Sequence, residues 1–74
     1  MTLDRLNKND KVKVLNILGG IGVRNHLNRL GIHIGDTLKI IQSAPFRGPL
    51  IVEVHGTEVA LGRGVALKIE VERI

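Results

Sequence analysis

The feature that most constrains the fold of this 74-residue chain is a pair of glycines, Gly31 and Gly35, that separates a helical pattern from a strand pattern. Before them, Val23, Leu27 and Leu30 have the spacing that places side chains on one face of an α-helix. Gly31 follows directly, at the position where a helix C-terminus takes a residue in the left-handed conformation. The sequence therefore predicts a short helix that packs through this apolar face and ends at Gly31.

Five segments have the β-branched content and the alternation that are typical of short strands. They are residues 11–18, 36–41, 50–54, 58–61 and 69–71. In the first strand the apolar residues change parity between Val14 and Leu15, which predicts either a bulge or burial of both faces. Residues 43–49 are predicted to form a loop, because their two prolines cannot donate to a ladder. A turn at Gly56 and Thr57 and a single helical turn at 62–66 complete the prediction.

Five short strands cannot form two packed sheets of useful size, so closure into a small barrel is the economical way to remove unpaired edges. We therefore predict a mainly β fold, a barrel of about five strands with one short α-helix inserted after the first strand. Residues 1–74 are expected to form one domain, with Leu3 and Leu6 anchoring the N-terminal segment. A chain of this size buries only about 60% of its unfolded surface, which favours a binding module over an enzyme.

Composition excludes several classes of function. The chain has no cysteine, so disulfides, thiolate metal sites and cysteine nucleophiles are excluded. No apolar stretch approaches the roughly 20 residues that span a bilayer, the helix is too short and too weakly basic for stable attachment to a membrane surface, and no cleavable signal is present. The expected location is the cytoplasm. The net charge of +4 is spread along the chain and Phe46 is the single aromatic residue, so no nucleic-acid partner is expected.

The sequence contains no complete motif for catalysis or for cofactor binding. Residues 20–22 resemble the start of a dinucleotide fingerprint, but the third glycine is missing and the helix is too short for a crossover unit. His26, His33 and His55 do not have metal-ligand spacing, and the sequence places none of them in a compact cluster with carboxylates. Ser43 is the single serine and has no base at motif spacing. We therefore predict no catalytic, cofactor-binding or metal-binding residue.

Taken together, the motifs of this chain resemble those of the FeoA family, small accessory proteins of bacterial ferrous iron transport. The matching segments are LNRLGI at 27–32, the glycine at 35, GP at 48–49 before LIVEV at 50–54, and VALGRGVA at 59–66 before IEV at 69–71. The chain departs from the family pattern at Ile34, where a proline is common, and at Asn9, where a glycine is common. Neither departure is expected to change the fold, because asparagine tolerates a positive φ.

The resemblance implies an SH3-like barrel without catalytic activity that regulates the membrane iron transporter, a GTP-binding protein, through its cytoplasmic GTP-binding region. The same fold occurs as a peptide-binding domain at the C-terminus of iron-dependent repressors, and RNA-binding SH3-like barrels are a third possibility. The absence of a preceding helix-turn-helix segment favours the free-standing transporter adaptor over the repressor domain.

Recognition of another protein is therefore the predicted activity. The candidate partner-binding residues are Arg24, Asn28 and Arg29 on the helix and Phe46 and Arg47 in the loop. Aromatic and arginine side chains are enriched at interface anchors. Phe46 discriminates best, because a buried ring would plug the barrel and an exposed ring would present an anchor.

Overall fold

The computed structural model describes all of residues 1–74 and shows a single five-stranded antiparallel sheet in the order β4-β3-β2-β1-β5. The elements are a 3₁₀ turn at Leu3–Arg5, β1 at Lys11–Ile17, α1 at Ile21–Arg29, β2 at Thr37–Ser43, β3 at Leu50–Val54, β4 at Thr57–Leu61, α2 at Arg63–Ala66 and β5 at Ile69–Arg73. The predicted mainly β architecture, with one helix after the first strand, is confirmed.

Two bulges bend the sheet. In β1, Val14 and Asn16 face consecutive residues of β5, so Leu15 is the extra residue, and in β2 the corresponding extra residue is Ile41. A bulge kinks its strand and increases the local twist, which curves a small sheet around its own core. The bulge predicted in β1 is confirmed. Burial of both faces there is wrong, because Leu15 is 45% exposed, and the bulge in β2 was not predicted.

The core is entirely apolar. The buried residues are Leu3, Leu6, Val12, Val14, Ile17, Leu27, Ile32, Leu38, Ile40, Leu50, Val52, Val54, Leu61, Ala66, Ile69 and Val71. Leu3 and Leu6 anchor the N-terminal segment as predicted, and no polar or charged side chain is buried. Every polar or charged side chain is therefore at least partly accessible at the surface.

Helix α1 ends in a Schellman motif. The backbone N–H of Ile32 donates to the Leu27 carbonyl at 2.9 Å, and the N–H of Gly31 donates to the Asn28 carbonyl at 3.0 Å. Gly31 has a φ of +87°, the left-handed conformation that this motif requires. Leu27 is the one buried residue of α1, and Val23 and Leu30 pack partly buried beside it. The predicted packing face and helix end are both confirmed.

Substituting Gly31 with alanine is expected to lower the free energy of unfolding by about 1–2 kcal/mol, the usual cost of a left-handed conformation for a residue with a Cβ. A Cβ at Gly31 would contact nothing within 4 Å, so the cost is conformational rather than steric. Gly64→Ala is the matched control, because Gly64 lies in α2 and has equally open surroundings. It should raise stability slightly. Urea unfolding measures the stability of both variants. Equal changes in the two would contradict a left-handed conformation at Gly31.

Several predicted boundaries shift by one or two residues. The strand predicted at 36–41 runs from Thr37 to Ser43, because Ser43 still pairs with Leu50. The predicted turn at Gly56 and Thr57 lies one residue earlier, at His55 and Gly56, which have φ values of +50° and +77°. Two consecutive positive φ values match the tight hairpin turn that the strand twist favours, so Thr57 already belongs to β4. Asn9 has a φ of +75°, which confirms that asparagine replaces a glycine here without altering the fold.

Candidate partner-binding site

The connection between β2 and β3, residues 44–49, forms a largely exposed hairpin end that we call the tip. At its centre the N–H of Gly48 donates to the Pro45 carbonyl at 3.1 Å, which closes a four-residue turn. The two central residues, Phe46 and Arg47, have φ values of +56° and +61°. Positive φ at both positions is the signature of a type I′ turn, which strongly prefers asparagine and glycine. The tip therefore holds two unfavourable residues in a strained conformation.

Phe46 is fully exposed, with 100% of its surface accessible to solvent. The single aromatic side chain thus does not plug the barrel, and Arg47 beside it is also exposed. The whole apolar surface of the ring is therefore available for contact with a partner. Of the two alternatives for Phe46, the buried plug is wrong, and the surface anchor stays a prediction.

Arg63, the first residue of α2, ties the tip to the barrel through four hydrogen bonds. Its Nε donates to the Gly48 carbonyl at 2.8 Å, and its Nη1 donates to the Asp4 carbonyl at 3.0 Å. Its Nη2 donates to the Ser43 hydroxyl and to the Ala44 carbonyl, both at 2.9 Å. The guanidinium thereby joins the tip, the N-terminal 3₁₀ turn and α2. These bonds to a charged group are stronger than bonds between neutral groups.

Close packing inside the tip depends on Gly48. A Cβ placed there would lie 2.8 Å from the Cβ of Ala44 and 3.2 Å from the carbonyl oxygen of Pro45. No larger residue fits without displacing the backbone, so the glycine permits the turn that presents Phe46.

A cleft of about 320 Å³ lies between the tip and α2 and is called the Arg63 cleft. Its lining residues are Asp4, Ala44, Pro45, Phe46, Arg47, Arg63 and Leu67. Leu67 is 46% exposed and adds a second large apolar side chain to the lining. Phe46 and Leu67 are apolar, and Arg47 and Arg63 are basic. Aromatic and arginine side chains are enriched at protein–protein interfaces, so this lining is typical of a surface that contacts another protein.

The five predicted partner-binding residues fall into two groups. Phe46 and Arg47 lie together at the tip and line the Arg63 cleft. Arg24, Asn28 and Arg29 are exposed on α1, and their side chains take part in no hydrogen bond or ion pair within the protein. None of the three lines the cleft. Sequence reasoning missed Arg63 and Leu67, although an arginine between two glycines at a helix start was a visible signal for Arg63.

Asp36 connects two of the three histidines. Its Oδ1 lies 3.1 Å from Nε2 of His55, and its Oδ2 lies 3.4 Å from Nδ1 of His33 and accepts the backbone N–H of His33 at 2.7 Å. The prediction that no histidine would lie in a compact cluster with carboxylates is therefore wrong. The pairing of β2 with β3 explains the error. When the register at Lys39 and Glu53 is extended beyond the ends of the strands, it places the β3–β4 turn, which contains His55, beside Asp36. The structure contains no group of three or more such residues arranged to hold a metal ion.

Partial burial of Asp36 raises its pKa, but the His33 N–H bond and the His55 imidazole outweigh that effect, so the pKa lies below the ordinary 3.8. A lowered pKa in the folded state stabilises the protein above pH 3.8, and this contribution is lost as the pH falls through the folded value. Asp36→Asn keeps a carbonyl acceptor without the charge. The stability difference between wild type and variant should be largest above pH 3.8, where the unfolded carboxyl is ionised, and should shrink as the pH falls through the folded-state pKa. Parallel unfolding curves between pH 2 and pH 7 would contradict this.

The family model described as FeoA domain matches residues 1–73 of the chain. The chain belongs to the FeoA family. This match spans the tip, the Arg63 cleft, α1 and every strand, so the FeoA resemblance of the sequence is confirmed across the whole fold.

Known relatives agree with the FeoA assignment. The chain is 41% identical over 63 residues to a protein of Methanocaldococcus jannaschii provisionally named Fe(2+) transport protein A, covering 85% of this chain and 74% of that protein. It superimposes with a TM-score of 0.91 and 34% identity on the crystal structure of an iron uptake regulatory protein (FeoA), covering 100% of this chain and 96% of the other. The SH3-like fold implied by the resemblance is confirmed.

One FeoA relative is joined to a transporter. In Porphyromonas gingivalis, a fusion protein of Fe(2+) transport protein A and the Fe(2+) transporter FeoB is 32% identical over 74 residues, covering all of this chain and 9% of the fusion. The family is thus linked to ferrous iron transport and to FeoB. None of the helices of the present FeoA protein has the length and apolar character needed to cross a membrane.

Proposed function

We propose that this FeoA protein is a non-enzymatic, cytoplasmic accessory protein of ferrous iron transport and that residues 1–74 act as one domain. Its partner is the iron transporter FeoB, bound through the GTP-binding region of that protein. The FeoA–FeoB fusion supports this pairing, since two domains that act together can be joined in one chain. The absence of any buried polar or charged side chain supports a binding role.

The observation that carries the proposal is the geometry of Phe46. The ring is fully exposed, and the backbone of Phe46 has a positive φ. The Arg63 side chain holds the turn in place by donating a hydrogen bond to the Gly48 carbonyl. Strained residues persist where the surrounding structure enforces them, and they cluster at binding sites. A rigid, preformed anchor loses little conformational entropy on binding. Phe46 is therefore the proposed anchor, with Arg47 as its polar neighbour.

The exposed residues of α1 form the second proposed contact. Arg24 and Arg29 are two cations without an internal partner, and Asn28 lies between them in sequence on the same short helix. Free arginines at an interface rim steer association with an acidic surface and depend on salt. We propose that α1 directs the approach to FeoB and that the tip supplies most of the binding energy.

An amide-shift titration tests the proposal. The isotope-labelled protein is titrated with the soluble GTP-binding domain of FeoB and then with full-length FeoB in detergent. Saturable shifts are expected at residues 45–48 and 23–30. Phe46→Ala should weaken binding at least tenfold, whereas Ile34→Ala, which shortens another exposed apolar side chain, should leave it unchanged. Unchanged spectra with both forms of FeoB would overturn the proposal.

A further inference from the structure

Strand β4 forms an open edge of the sheet. It pairs with β3 on one side, and none of the backbone hydrogen bonds outside the helices and strands involves residues 57–61. The opposite edge is covered, because the N–H of Val71 in β5 donates to the Met1 carbonyl at 2.8 Å and Thr2 bridges to Glu70. One edge of the sheet is thus closed by the chain itself and the other is free.

The register of the hairpin defines which groups are free. Val54 and Thr57 flank the two-residue turn and form the closing hydrogen-bonded pair, so pairs alternate from there along the ladder. Glu58 and Ala60 therefore direct their N–H and C=O groups away from β3. Four backbone groups in a row are available to an additional strand.

This edge has little of the usual protection against strand addition. Natural edge strands carry proline, charged side chains (lysine above all) or a bulge that discourages pairing, and the one charge on β4 is that of Glu58. The five residues of β4 include no proline or lysine, and their register with β3 is continuous through all five pairs. The edge is suited to accept an extended segment by β-augmentation.

The charges beside this edge indicate which kind of extended segment would bind to β4. Glu58 lies directly opposite Glu53 on the solvent face, and neither carboxylate takes part in an ion pair. Lys39 of β2 lies opposite Glu53 on its other side, so Glu58 is the carboxylate of this pair with no cation on an adjacent strand. A cation on an added strand would lie next to Glu58. On the other face Val59 is half-buried and Leu61 is buried, which suits apolar side chains. Two copies of this chain joined through β4 would instead place the Glu58 carboxylates of both copies on adjacent strands.

We propose that the β4 edge binds an extended protein segment in which lysine or arginine alternates with apolar residues. The basic residues lie beside Glu58, and the apolar residues extend the inner face at Val59. Backbone hydrogen bonds at Glu58 and Ala60 provide the attachment. This inference does not depend on whether FeoB binds the tip.

Synthetic peptides test the inference without any natural partner. The probes are acetyl-Lys-Val-Lys-Val-Lys-Val-amide and the same peptide with glutamate in place of lysine, each titrated into the isotope-labelled full chain. The lysine peptide should produce saturable amide shifts and slower hydrogen exchange at Glu58 and Ala60. The glutamate peptide should bind at least tenfold more weakly.

Two variants separate backbone pairing from charge. Ala60→Pro removes an outward N–H, which an edge strand tolerates, and should abolish binding. Ala60→Val keeps the donor and should bind as the wild type does. Glu58→Lys leaves the backbone intact and should weaken the lysine peptide at least tenfold while strengthening the glutamate peptide, so the test stands even if the proline variant does not fold.

Three results would overturn the inference. Equal binding of both peptides by the wild type would exclude charge selection. Shifts confined to residues 45–48 would assign binding to the tip, and shifts at Glu58 and Ala60 that depend on protein concentration without peptide would assign the edge to a second copy. Failure of FeoB to bind the protein, with these peptide results intact, would refute only the proposed function.

Discussion

Replacing Arg63 with alanine is expected to lower the free energy of unfolding by about 2–4 kcal/mol, the range for losing a network of hydrogen bonds to one charged group. The four hydrogen bonds of its guanidinium join parts of the chain that are far apart in sequence. Without them the carbonyls of Asp4, Ala44 and Gly48 lose their donor, and the tip is no longer held against α2. Arg63→Lys should recover little of the loss, because an ammonium group cannot reproduce the planar fork.

Urea unfolding at neutral pH measures the effect, with Arg24→Ala as the matched control. Arg24 is exposed and has no hydrogen bond or ion pair, so its removal should change stability by no more than about 0.5 kcal/mol. Amide hydrogen exchange should increase at residues 44–48 in the Arg63 variant. Equal stability of the two variants would show that Arg63 does not organise the tip.

The helix end and the first bulge were predictable because their signals are local. The apolar spacing that ends at Leu30, followed by Gly31, determines the Schellman motif within a few residues. The parity change between Val14 and Leu15 marks a bulge for the same reason. In each case neighbouring side chains and backbone conformation decide the outcome, and both are visible in the sequence.

Contacts between distant segments were not predictable in the same way. Arg63 bonds to residues between 15 and 59 positions away, and the proximity of Asp36 to His55 depends on a hairpin register that includes a bulge. The position of that bulge at Ile41 has no clear pattern in the strand. The five candidate binding residues were predicted by residue type, with the exposure of Phe46 left open, and which of them line the Arg63 cleft required the fold.

The type I′ turn at the tip leads to the second prediction, in which stability and binding change in opposite directions. The double variant Phe46→Asn, Arg47→Gly places the preferred residues of this turn at its two central positions. Relief of two positive φ values should raise the free energy of unfolding by about 1–2 kcal/mol. Loss of the aromatic anchor should weaken binding to the GTP-binding domain of FeoB by about 30-fold, the loss that corresponds to about 2 kcal/mol at an interface hot spot.

Higher stability combined with weaker FeoB binding would show that the residues that strain this turn serve binding rather than folding. If the unfavourable conformation served only the fold, optimising the turn would improve stability and leave FeoB binding unchanged. If Phe46 instead stabilised the fold, the double variant would unfold at lower urea concentration despite its better turn. Urea unfolding and titration calorimetry on the same sample separate these outcomes, and Ile34→Ala controls for the loss of exposed apolar surface elsewhere. The expected combination is a more stable protein that binds FeoB less well, because the favoured turn residues relieve the positive φ values and remove the aromatic side chain proposed to contact FeoB.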